Sequence, residues 1–80
     1  AGREDIPHIV VETNRVRVKS QKDAWISIYT THGSMVQMLK SSSGNWMESM
    51  PLNDDFYVVR VQETGQKAYS RKVLIRTVGK

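Results

Sequence analysis

The chain has 80 residues, of which 39% are hydrophobic and 25% charged, with a formal net charge of +4 and no cysteine. Such a chain makes one domain with one modest core, and it excludes a disulfide framework, a thiolate metal site and a disordered, core-poor composition. No apolar run approaches the roughly 18 residues of a membrane-spanning helix. The basic balance raises nucleic acid or an anionic surface as a partner, although solvated strand faces account for the same charge.

The first residues, Ala1-Gly2-Arg3-Glu4-Asp5, are polar and carry neither an initiator Met nor a signal-type apolar stretch, so the sequence reads as a piece of a longer protein. Residues 1–7 are expected to form a flexible arm. Ile6-Pro7-His8-Ile9-Val10-Val11-Glu12 predicts a first strand, with Pro7 at its start or on an edge because proline cannot donate to a ladder. Asn14 marks a turn. Arg15-Val16-Arg17-Val18-Lys19 alternates without a break, which puts Val16 and Val18 on a core face and three cations on the opposite one.

Trp25-Ile26-Ser27-Ile28-Tyr29 predicts a third strand, with Ile26 and Ile28 inward and Trp25 and Tyr29 on the other face or at its margin. A turn on Gly33 follows. Met35 to Lys40 and Trp46 to Met50 predict two further strands around the loop Ser41-Ser42-Ser43-Gly44-Asn45, and Pro51 ends the second of them. Leu52-Asn53-Asp54-Asp55 makes a tight corner into Phe56-Tyr57-Val58-Val59-Arg60-Val61. The chain returns through Gly65 as Lys67 to Arg76, completing a hairpin. Phe56, Val58, Val61, Val73 and Ile75 are expected in its core, and Lys72 and Arg76 outside. Six or seven short strands at this spacing, with no segment of convincing helical period, predict an all-β, immunoglobulin-like antiparallel sandwich of about seven strands as a single domain, 1–80, with 77–80 as a tail.

Residues that could carry chemistry are sparse. His8, expected at an edge or rim, and His32, expected in an exposed turn, are the only imidazoles, and neither lies in a nucleophile or metal motif. Ser34, His32 and Asp54 form a triad only on paper, so no enzyme is expected, and no catalytic residue or cofactor. Asp54 and Asp55 are adjacent and lack the alternating oxygen ligands of a calcium loop, so no metal is expected. Met35, Met38, Met47 and Met50 are expected to fill gaps in the core, a binding surface being the alternative. Arg15, Arg17 and Lys19 with Arg60, Lys67, Arg71, Lys72 and Arg76 would form one basic patch if their strands were neighbours. Trp25, Trp46 or Tyr69 would then offer stacking surfaces, giving the alternative reading of a small nucleic-acid-binding β-barrel.

Three segments taken in order resemble a known family. Trp25-Ile-Ser-Ile-Tyr-Thr-Thr-His-Gly33-Ser-Met-Val36 is similar to the "hydrophobic-x-Ile-Tyr-x-x-x-Gly-x-x-Val" segment of the C-terminal sorting domains of the type IX secretion system. Leu52-Asn-Asp-Asp-Phe-Tyr57-Val-Val resembles that family's "Leu-Pro-x-Gly-hydrophobic-Tyr-hydrophobic-Val", and Arg71-Lys72-Val73-Leu74-Ile75-Arg76 its closing "Lys-Val-hydrophobic-hydrophobic-Lys". The resemblance runs from about Val16 to Arg76. Two departures stand out: Asp55 replaces the usual Gly, and Thr77-Val78-Gly79-Lys80 extends past the usual last residue.

The resemblance implies an immunoglobulin-like sandwich that directs a parent cargo domain, N-terminal to it, from the periplasm through an outer-membrane translocon of Bacteroidetes-type bacteria. It further implies removal by a sortase-like peptidase, attachment of the cargo to anionic lipopolysaccharide, and a final location in the outer membrane, at the cell surface or outside the cell. Nucleic acid is then not expected as a partner. Gly33, Tyr57, Lys72, Val73, Ile75 and Arg76 occupy the family's characteristic positions. If the receptor pairs with the last strand, backbone bonds give affinity and outward side chains such as Lys72 give discrimination. A free edge of this kind would also let two copies pair as a dimer.

Overall fold

A computed structural model describes residues 6–77. Seven strands follow one another: β1 (His8–Glu12), β2 (Arg15–Lys19), β3 (Ala24–Thr30), β4 (Met35–Ser41), β5 (Trp46–Glu48), β6 (Asp55–Glu63) and β7 (Tyr69–Ile75). They form a three-stranded sheet in the order β1-β2-β5 and a four-stranded sheet in the order β4-β3-β6-β7, with every pairing antiparallel. The chain changes sheet after β2, after β4 and again after β5. The result is an all-β, immunoglobulin-like sandwich.

Period-two alternation builds the core where the sequence carries it. Val16 and Val18 of β2 face Ile26 and Ile28 of β3 and Val59 and Val61 of β6, all nearly inaccessible to water. Side chains of this size stabilise by about 1.5–3 kcal/mol each when fully buried. Ile9, Leu52, Val73 and Ile75 close the core at its margins.

In β6 the phase differs from the expected one. Tyr57 and Val59 point inward with Val61, while Phe56 is 45% exposed and Val58 half-buried. The run Phe56 to Val59 is apolar at every position, so alternation says nothing about its phase. A tertiary bond fixes it: the Tyr57 hydroxyl donates to the Asn53 carbonyl, 2.9 Å away and four residues upstream. A tyrosine at the start of such a strand, tied back across the preceding corner, is a recurrent device of immunoglobulin-like sandwiches.

The methionines also depart from the expected core role. Met35, Met38 and Met50 are at least half exposed, and only Met47 packs against the core. The reason lies in β4, where the register with β3 shifts between Ile28 and Tyr29, so Val36 is an extra residue and both Met35 and Met38 turn outward. Trp46 to Glu48 is shorter than the five residues expected. After it Ser49 and Leu52 bond the backbone of Val16 and Asn14 at 2.9 and 2.7 Å and keep the chain alongside β2.

The turns are set by a few backbone positions. Between β1 and β2 the left-handed residue is Thr13, φ 54°, and not Asn14. A β-branched residue there is strained, by roughly 1–3 kcal/mol. Asp55 needs no such conformation. It is extended, opposite Ile75, and its Oδ1 accepts from the Phe56 amide at 2.7 Å.

Buried polar groups are paired. Ser49 Oγ accepts from the Val16 amide and donates to the Met50 carbonyl, both at 2.9 Å. Glu63, inward at the end of β6, accepts from the Gln21 amide at 2.8 Å. At the edges of the sandwich, Gln37 Oε1 accepts from the Met50 amide at 3.0 Å and the Arg71 guanidinium donates to the Ile9 carbonyl at 3.5 Å, so side chains bridge the two sheets at both edges.

The N-terminal arm expected over 1–7 lies outside the described residues except for Ile6 and Pro7, of which Pro7 is buried. Of the expected tail, Thr77 is described, and both its amide and its hydroxyl donate to Asp54 Oδ1, at 3.1 and 2.7 Å.

Candidate functional site

The six positions singled out by resemblance divide sharply by environment. Gly33 sits in the exposed turn between β3 and β4 with φ +92°, and its amide donates to the Thr30 carbonyl at 3.0 Å. A non-glycine residue would be strained there. Tyr57, Val73 and Ile75 are buried, at 6%, 7% and 0% exposure, and belong to the core. Their family-like pattern is therefore explained by packing. Lys72 and Arg76 remain exposed and accessible to a partner.

Among the described residues, strand β7 pairs only with β6 and forms one border of its sheet. Its outward side chains are Ser70, Lys72 and Leu74, while Arg71 turns toward the other sheet. Lys72 Nζ lies 4.8 Å above the centre of the Phe56 ring.

The expected single basic patch does not form. Arg15, Arg17 and Lys19 are on β2 in the three-stranded sheet, whereas Arg60 and Lys72 are on β6 and β7 in the other, so the two groups occupy opposite outer faces of the sandwich. Trp46 is with the first group and Trp25 with the second, and Tyr69 is half-buried against the core. The sheets are open at their edges and do not close into a barrel.

On the three-stranded face the charges are satisfied locally. Arg15 pairs with Glu48 at 3.1 Å and Arg17 with Glu12 at 3.4 Å. Trp46 stands beneath the Arg17 guanidinium, 5.0 Å from its ring centre, with Lys19 at 5.9 Å and the His8 ring at 6.5 Å. The neighbourhood follows from register, because His8, Lys19 and Trp46 oppose one another across three adjacent strands.

No family model matches this chain, and no curated protein matches its sequence.

His32 and Ser34 lie in the β3–β4 turn, where both their amides donate to Thr30 Oγ1, at 3.3 and 3.2 Å. Asp54 is held by Thr77. No hydrogen bond joins the three residues among those described, so the paper triad is not assembled.

The outer face of the four-stranded sheet is the feature the sequence reading did not assemble. Trp25, Met35, Met38, Phe56 and Leu74 are each between 41% and 50% exposed on it, and Lys40 Nζ lies 5.6 Å from the Trp25 ring centre. A signal was present. Phe56 to Val59 is apolar on both strand faces, and a strand of one-sided burial would alternate there with polar residues.

Proposed function

We propose that the domain is a C-terminal sorting signal of the type IX kind, which directs the protein attached to its N-terminal side through the outer-membrane translocon. The observation that carries the reading is the position of β7. Among the described residues, the family-like segment Arg71 to Ile75 forms an edge strand with a strand partner on one side only. Its core residues hold it in the sheet, Arg71 reaches from it to the Ile9 carbonyl, and Lys72 faces outward beside its outer edge. An edge strand of this kind accepts a further strand from a receptor through backbone hydrogen bonds, with outward side chains giving discrimination. The nucleic-acid reading gains less support, since its cations are divided between opposite faces.

The test is a periplasmic reporter carrying the domain at its C-terminus in a type IX-competent strain. Export of the reporter to the cell surface is the expected result, and retention of a folded fusion in the periplasm would overturn the proposal. Deleting residues 72–80 removes Val73 and Ile75 from the core, so that truncation tests folding more than recognition. The sharper variant adds a second folded protein after Lys80. It should stop export while the β-sheet circular dichroism of the purified domain is unchanged.

A further inference from the structure

An apolar sheet face on a domain this small needs an explanation, because contiguous exposed apolar surface on soluble domains marks a site of interaction. Register defines the outward positions of the four-stranded sheet. Trp25 lies beside Lys40 and Gln62, Ser27 beside Met38 and Arg60, and Tyr29 beside Met35 and Val58, while Phe56 and Val58 oppose Leu74 and Lys72 on β7. Aromatic residues, methionine and a central arginine are the types enriched where protein partners meet.

Within the paired strands the charge on this face is of one sign, and at one end, beside Trp25 and Lys40, Asp23 accepts from the Ser43 amide at 2.9 Å. Lys40, Arg60 and Lys72 stand on it, and none of its outward register positions is an aspartate or glutamate. A second copy docked face to face would bring like charges together, which opposes association. Lys40 and Lys72 lie against the rings of Trp25 and Phe56, 5.6 and 4.8 Å from their centres. Both cations are placed to meet carboxylates that arrive next to apolar groups.

We propose that the outer face of β4-β3-β6-β7 is a docking surface for a protein segment whose apolar side chains are interleaved with carboxylates. The surface shares Lys72 with the secretion reading, whose carrying feature is the backbone edge of β7, and peptide binding by the purified domain is read separately from export.

Three synthetic peptides with the same leucine positions, and with Glu, Gln or Lys at the remaining ones, test this by amide chemical-shift titration of the isotope-labelled chain. The Glu peptide should bind saturably, shift amides of β3, β4, β6 and β7, and bind at least about tenfold more tightly than the Lys peptide. The double variant Lys40→Glu, Lys72→Glu, both exposed positions, should reverse that order while keeping the native dispersion of core amides. The proposal is overturned by absence of saturable binding, by equal affinity for the Glu and Lys peptides, or by shifts confined to the β1-β2-β5 face. Binding to phosphatidylglycerol vesicles that the Glu peptide does not displace would assign the face to lipid instead, and dimerisation blocked by the same double variant would assign it to a second copy.

Discussion

The two outer faces of this sandwich come from the same short chain and solve the problem of exposed β-surface in opposite ways. On the β1-β2-β5 face, three cations meet two carboxylates, and Trp46, itself 41% exposed, lies beneath Arg17 and Lys19. Its residues hold one another. On the β4-β3-β6-β7 face, Met35, Met38, Phe56 and Leu74 are exposed and three cations stand without an acid among its outward positions. Among the described residues, none of its cations has a carboxylate partner. Net charge alone hides this difference, because cations on both faces contribute to the same total. Pairing across strands decides which charges are spent on the domain itself and which remain available to another molecule.

Substitutions can break the comparison or sharpen it. The largest effect is expected where both faces depend on one residue. Ile26→Ala, in the shared core at 0% exposure, should lower unfolding stability by about 2–5 kcal/mol in urea denaturation, and both faces should be lost together. In a domain whose total stability is on the order of 5–15 kcal/mol that loss is severe. A loss below about 1 kcal/mol would mean that the two sheets do not share this core.

The hairpin that carries the ion-paired face holds the next effect, of opposite sign. Thr13→Gly relieves a β-branched residue at φ 54° and should raise stability by about 1 kcal/mol, seen as a higher denaturation midpoint. Trp46→Ala should cost about 1 kcal/mol, since it removes the ring beneath two cations. Met38→Ser on the other face should change stability by no more than about 0.5 kcal/mol while reducing binding of an apolar fluorescent dye. If Met38→Ser proved as costly as Trp46→Ala, the four-stranded face would be held together as tightly as the other and would lose its distinction.

Much of the fold was legible from local pattern. Arg15 to Lys19 announced both the strand and its inward valines, Trp25 to Tyr29 did the same for Ile26 and Ile28, and Gly33 and Gly65 marked turns in which each has positive φ. Legibility failed where alternation failed. Phe56 to Val59 offered no phase, and β4 carried an extra residue at Val36 that no local signal announces. The expectation that the methionines fill the core assumed that apolar means inward, which holds for β2 but not for a sheet with an apolar outer face.

The candidate site was legible only in part. Lys72 and Arg76 were expected outside and are outside, while Tyr57, Val73 and Ile75 are in the core, where their pattern reflects packing. A joint basic patch required β2 to neighbour β6 and β7, and strand order placed them in different sheets.

The sequence by itself determined that six or seven short strands form and which residues of the regular ones point inward, because side-chain direction along a strand is a local, period-two property. Only the tertiary structure decided which strands are neighbours, since pairing joins residues far apart in the chain. That choice paired Arg15 with Glu48, separated the two groups of cations, put β7 on an edge, and assembled Trp25, Met38, Phe56 and Leu74 into one exposed face.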